Sequence, residues 1–292
     1  MKHKAALGWL IPVIALLALV AAGMGLFYHA PGDTFEFTNH RGETVTINGR
    51  GLYYYDTVSS AAQQQANDLI TLVVAVPALL ISAWLAFRGS LRGRLVLTGT
   101  VGFFLYTYMS MSMLTSYNSL FLVYVALFGL SLYAFILSML SFDLKSLPGS
   151  FSPRLPRGWL AGLMFVLGGF LFLAWMGRIV PPLLQHGVPV LDNTTTLVIQ
   201  AMDLALIVPL AILSGVLLLR RSPWGYLLIS VALLKGVTLG LAVSTMSINM
   251  MLKGVPESPT IMIPFLVMTA ASVVMAIVLL VNVESRGEAV GS

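Results

Sequence analysis

Two stretches decide the fold: Pro77–Gly93, PALLISAWLAFRGSLRG, and Pro209–Gly225, PLAILSGVLLLRRSPWG. Pro77, Ser82, Arg88 and Gly93 return at identical mutual spacing as Pro209, Ser214, Arg220 and Gly225. Outward from these, Gly8-Trp9-Leu10 returns as Gly158-Trp159-Leu160, and Gly51, Asp56 and Asp68 return as Gly187, Asp192 and Asp203. Spacing shared across several elements points to a duplicated unit.

Composition supplies the environment. The 292 residues are 58% hydrophobic and 9% charged, against about 25% charged in a soluble domain, so the chain is read as an integral membrane protein. Runs of about 20 apolar residues cross a hydrocarbon core as helices. Eight such runs are expected, at about 6–27, 67–88, 95–116, 119–142, 158–182, 195–219, 226–250 and 259–283. They are too long for barrel strands. The first resembles a signal peptide in having Lys2-His3-Lys4 ahead of an apolar run, but its counterpart lies in mid-chain, so it is read as a retained anchor.

The fold class expected is therefore an all-α membrane protein of eight transmembrane helices, arranged as two parallel four-helix repeats with a small outer β-hairpin loop. Residues 1–145 form the first unit, 146–157 a cytoplasmic linker and 158–292 the second unit. Four crossings per unit, an even number, relate the units by an axis along the membrane normal. Most of the 16 Lys and Arg fall on one side, including Lys2, Lys4, Arg88, Arg92, Arg94, Arg157 and Arg220. The positive-inside rule then puts both termini in the cytoplasm of a cell that carries the protein in its inner membrane. The net charge of +5 is explained by that orientation and calls for no nucleic acid.

The loop 28–65 lies on the opposite side. In it Phe35, Phe37, Val45 and Ile47 alternate with polar residues around Asn39-His40-Arg41-Gly42, the pattern of a β-hairpin, and Tyr53-Tyr54-Tyr55-Asp56 follow. The tyrosines are read either as a lid over the outer mouth or as rings at the lipid headgroups. The matching loop of the second half is much shorter.

Ionisable groups within the lipid mark function by default. Thr196, Gln200 and Asp203 share one face of the sixth helix; Lys235, Thr238, Ala242, Thr245 and Asn249 share one face of the seventh. These stripes are expected to face each other, with Asp203 and Lys235 as a candidate ion pair. The first half has Phe103 where the second has Lys235, and Asp68, with Gln64 and Thr71, is read as a solvated helix start near the interface. Tyr106 and Tyr108 add aromatic hydroxyls from the third helix. The candidate ligand-binding set is Asp203, Lys235, Gln200, Thr238, Thr245, Tyr106, Tyr108, Asp68 and Gln64.

Absences narrow the chemistry. There are 0 Cys and 4 His, the latter only at termini or in loops, so a Cys-bound metal, a bis-His haem or a His-rich metal site within the bundle has no ligands. No phosphate-binding glycine loop occurs. The sequence leaves catalytic residues and cofactors open, and an enzyme reading survives only through Asp203, Lys235 and the tyrosines as acid-base groups. Three function classes stay open: a protein that binds or transports a small amphipathic or lipid-like molecule, a partner or assembly subunit of a membrane complex, and an enzyme acting on a lipid or quinone. The partners read are the lipid bilayer, that ligand, and a membrane protein or second copy of the chain.

The segment Asp203-Leu204 to Val208-Pro209, followed by Leu218-Leu219-Arg220-Arg221-Ser222-Pro223-Trp224-Gly225-Tyr226 and Lys235, resembles a pattern in uncharacterised polytopic membrane proteins of bacteria. That resemblance implies no activity. In topology each unit is also similar to four-helix families such as the DoxX-like proteins, from which no site residue is carried over.

Overall fold

The computed structural model describes residues 2–255 and 259–284. Eight helices are long and apolar enough to cross a membrane: α1 Lys4–Phe27, α2 Val58–Phe87, α3 Leu91–Leu114, α4 Phe121–Leu140, α5 Arg157–Leu184, α6 Val198–Leu219, α7 Pro223–Leu252 and α8 Pro259–Val281. The chain is an integral membrane protein. Strands β1 Phe35–Thr38 and β2 Thr44–Ile47 form the expected antiparallel hairpin, with Phe37 opposite Val45.

The largest departure from the expected boundaries is α2. It begins at Val58 rather than near 67, because VSSAAQQQAND is polar but helix-competent, and the Thr57 hydroxyl caps it by accepting the Ser60 N–H at 3.1 Å. Hydropathy sees only the part that crosses lipid. The extra turns carry Gln64 and Asp68 into the protein interior rather than leaving them in a loop and at a solvated helix start.

Helices α2 and α6 are each interrupted by a π turn, at Thr71–Ala75 and Asp203–Ile207, two residues before Pro77 and Pro209. Proline has no N–H and its ring presses on the carbonyl four residues back. A local switch to five-residue bonding relieves this: Val76 N–H reaches the Thr71 carbonyl and Val208 N–H reaches that of Asp203. Counted from the prolines, Thr71 and not Asp68 is the counterpart of Asp203, and Gln200 is the counterpart of Asp68.

Helices α1 to α4 close a ring in which α1 touches α2 and α4 while α3 touches α2 and α4; α5 to α8 do the same through α5–α6, α6–α7, α7–α8 and α5–α8. Between the rings α3 lies against α7, α7 against the outer turns of α2, and α3 against the outer turn of α6. The Asn249 side-chain amide donates to the Ala62 carbonyl at 2.7 Å across the α2–α7 contact. The expected linker is a packed clasp: Leu147, Phe151 and Leu155 are buried, Phe151 bridges to Val283 and its ring lies 5.1 Å from that of Tyr226. Lys4 over Phe87 and Arg92 on the Val283 carbonyl place both described ends of the chain on the arginine-rich face.

The repeated glycines have a packing cause. A Cβ on Gly93 would stand 2.5 Å from the Leu85 Cβ, and one on Gly225 would overlap the Leu217 backbone, so each lets consecutive helices meet at a tight turn. Gly8 and Gly158 also recur but have open space around them. Gly93→Ala and Gly225→Ala are each expected to cost about 1–3 kcal/mol through overpacking, whereas Gly8→Ala and Gly158→Ala, favoured by helix propensity, hold or raise the melting temperature. Thermal denaturation in detergent of the four variants checks this.

Candidate functional site

Two buried carboxylates, one in each half, are held by aromatic donors. In the second half Asp203 opens the π turn of α6. The Tyr106 hydroxyl, from α3, donates to its Oδ1 at 2.7 Å, and the Trp175 indole N–H, from α5, donates to its Oδ2 at 2.9 Å. Both oxygens are therefore engaged. Lys235, buried on α7, places its Nζ 3.9 Å from the centre of the Tyr106 ring, and that nitrogen has no hydrogen-bond partner among the described residues. Among the described residues the only ion pairs are Arg41–Glu43 and Arg50–Asp33, both in the outer loop. The expected Asp203–Lys235 ion pair is thus not formed: Tyr106 stands between the two groups, because α3 and not only α6 packs against the polar face of α7.

In the first half Asp68 is 1% exposed and accepts the Tyr53 hydroxyl at 2.6 Å. The solvated helix start is corrected to a buried carboxyl, covered by the outer loop folding back through Tyr53. Gly25 on α1 makes this possible, since a Cβ there would overlap the Asp68 carboxyl and approach the Tyr53 oxygen to 2.8 Å. Trp175 stands at the same distance after Gly158 as Gly25 after Gly8. One half leaves a gap filled by a loop tyrosine; the other fills it with an indole. Tyr108 and Tyr124 stack near this centre, rings 6.3 Å apart, with both hydroxyls buried and unpartnered. The three adjacent tyrosines of the loop therefore divide: Tyr53 is buried and Tyr55 is exposed.

A ladder on one face of α2 leads outward from Asp68. Gln64 accepts the Thr115 hydroxyl at 2.8 Å and donates to Ser60 at 3.0 Å, and Ser60 donates to Asp56 at 3.3 Å. It ends at a cleft of about 180 Å³ between the hairpin end of α2 and the loop before α6, lined by Asp56, Thr57, Ser60, Ser116 and residues 192–195, with Met113, Leu114 and Val198. Burial pushes the Asp56 carboxyl up to about 6. A second cleft of about 280 Å³, mostly apolar, lies between the outer ends of α2 and α7 and includes Leu69, Thr245, Ile248 and Asn249.

Of the nominated residues, Asp203, Lys235 and Tyr106 come together; Asp68 and Gln64 belong to the first-half ladder; Tyr108 stacks within the first-half core. Thr238 and Thr245 turn their hydroxyls back to the carbonyls of Lys235 and Leu241 on their own helix. Gln200 is buried two residues into α6. Only Thr245 lines either cleft. Trp175 was missed, its signal being visible only by aligning the first and fifth helices. Asp56 and Asp192 were noticed as repeat markers and not as ligands. Among the described residues no cluster of three or more His, Cys, Asp or Glu could hold a metal. The chain matches no protein family, no curated protein and no solved structure.

The Gly25 gap can be tested directly. Gly25→Ala is expected to push the Asp68 carboxyl off Tyr53, stranding a buried acceptor at a cost of about 1–3 kcal/mol, while Gly23→Ala, with open space around it, leaves stability unchanged. Adding Asp68→Ala to Gly25→Ala should recover most of the loss. Melting temperatures of these variants decide it, and equal values for Gly25→Ala and wild type would remove the gap argument.

Proposed function

We propose that the protein binds, and carries within or across the membrane, a small amphipathic or lipid-like molecule with an acidic or strongly hydrogen-bond-accepting head, at the Lys235, Tyr106, Asp203 and Trp175 centre. The observation that carries this reading is the unpartnered Lys235 nitrogen beside a fully engaged Asp203. An unpaired charge near the bilayer centre costs at least about 2.5–3.5 kcal/mol. A centre built only for packing would bring amine and carboxylate into contact; here the acid is satisfied by neutral donors and the donors of the amine are left free. The head group that complements them is an acceptor.

The reading includes two parallel four-helix units, supported by the matched π turns, prolines and glycines and by the two similar rings of helices. Only the second unit has the lysine and the indole, so the units divide labour: the first is stapled shut by Tyr53, the second handles the ligand. The arginine-rich face, with both termini, is cytoplasmic, and the hairpin faces outward.

Native mass spectrometry of detergent-purified protein, run beside a thermal-stability cycle, tests the ligand. Wild type should retain an acidic amphiphile that Lys235→Met loses. The double variant Asp203→Leu, Lys235→Met should likewise be empty; like Asp203→Leu alone it leaves the Tyr106 and Trp175 donors without their acceptor and should melt below wild type, whereas Lys235→Met breaks no ion pair. Unchanged bound molecules and unchanged stability across all four proteins would sink the reading.

Orientation is tested separately. The chain has 0 Cys, and Thr44 and Ser146 are exposed on opposite faces. In intact cells an impermeant thiol reagent should label Thr44→Cys and spare Ser146→Cys; the reverse pattern inverts the topology.

A further inference from the structure

The outer cleft is a second site with its own electrostatic demand. It joins the two halves: the Thr57 hydroxyl donates to Asp192 Oδ2 at 3.0 Å, and the Arg41 guanidinium donates to the Thr194 carbonyl at 3.2 Å. Asp56 is 4% exposed. Its Oδ1 accepts the Ser116 N–H at 3.1 Å and the Ser60 hydroxyl, while its Oδ2 is buried and has no partner; the residue as a whole lines the cleft. A second carboxylate, Asp192, lines the same space. The one cation described beside the cleft, Arg41, is paired with Glu43 at 3.0 Å, so its charge is already offset. The walls thus hold two carboxylates and a set of neutral oxygens, with an orphaned buried carboxylate oxygen among them.

We propose that this cleft binds a hard divalent cation of the calcium type, with Asp56 and Asp192 as its charged ligands and lining oxygens of Asn193 and Thr195, with water, completing the shell. Calcium accepts mixed oxygen ligands in flexible geometry, whereas magnesium demands a near-ideal octahedron and keeps its waters. Imidazole and thiolate, which select transition metals, are not among the lining residues. A volume of about 180 Å³ admits an ion with several waters, each of which occupies roughly 30 Å³. With only two carboxylates the affinity belongs to the weak class, a Kd on the order of 10⁻⁴–10⁻³ M. A bound ion would fasten the hairpin end of α2 to the loop before α6, and so the first half to the second, far from Lys235.

The test uses the full-length protein in detergent at constant ionic strength, titrated with calcium chloride, magnesium chloride or ethylammonium chloride and followed by melting temperature and isothermal titration calorimetry. Calcium should raise the melting temperature of wild type with half-saturation in the class given above. Asp56→Asn and Asp192→Asn preserve shape and, at 192, the acceptor for Thr57; each should weaken calcium binding at least about tenfold, the loss expected when one of two charged ligands is neutralised. No response to calcium, an equal response in wild type and both variants, or a response to ethylammonium without one to calcium would each overturn the proposal. None of these outcomes bears on the Lys235 centre, whose test reads bound amphiphile.

Discussion

The structure depends on one constraint: inside lipid every backbone polar group has to be satisfied by the protein itself. Pro77 and Pro209 violate it locally, and the π turns at Thr71–Ala75 and Asp203–Ile207 are the repair. A π turn widens the helix and rotates the residues that follow, so its position fixes what the outer half of the helix presents to the core. In α6 the acceptor of the repair bond is the carbonyl of Asp203 itself, which seats that side chain between α3 and α5 where Tyr106 and Trp175 reach it. In α2 the same position is Thr71, fully buried with an unpartnered hydroxyl, and the acid stands one turn further out. A single backbone device thus places two different polar centres.

The difference between halves is then a matter of which side chains fill equivalent space. Gly25 leaves a gap that admits Tyr53 from the loop, and the long outer loop is the consequence, because only a loop that folds back over the bundle can deliver a hydroxyl there. Trp175 closes the corresponding gap from within α5, and the second loop can be short. Phe103 is fully buried in the first half; Lys235 occupies its counterpart position, with Tyr106 spacing it from Asp203. Neutral aromatic donors hold the acid in both halves. Only the second leaves a donor unspent.

Much of this was legible in the sequence. The eight spans, the hairpin and the inward-facing stripe of α7 follow from hydropathy and periodicity, which report averages over many residues. What failed were individual contacts. Asp68 seemed close enough to the interface to be solvated because depth along a helix says nothing about a loop returning over it. Asp203 and Lys235 seemed able to pair because adjacent helices were expected to face each other directly, whereas α3 inserts Tyr106 between them. Trp175 carried no signal of its own, since an indole on an apolar helix is ordinarily lipid-facing. The α2 start was misplaced because a polar stretch rich in Ser and Gln reads as loop when its helix is stabilised by a cap and by packing on α7 rather than by lipid.

The outer seam shows why the two halves need more than packing to stay registered. Between the rings the contact runs chiefly through α3, α7 and the outer turns of α2, and the polar bonds across the outer part of it are few: Asn249 to Ala62, Thr57 to Asp192 and Arg41 to Thr194. Lipid tails are as apolar as the helix surfaces, so there is little hydrophobic drive to hold one ring against another. Polar contacts and shape therefore carry the register, and those near the hairpin end close on the carboxyl of Asp56, which takes the Ser116 N–H with one oxygen and leaves the other free. A group held at that junction can bear on how firmly the halves meet without touching the Lys235 centre. Motion of one ring against the other would open or close the α3–α7 face, and that face carries Tyr106 and Lys235.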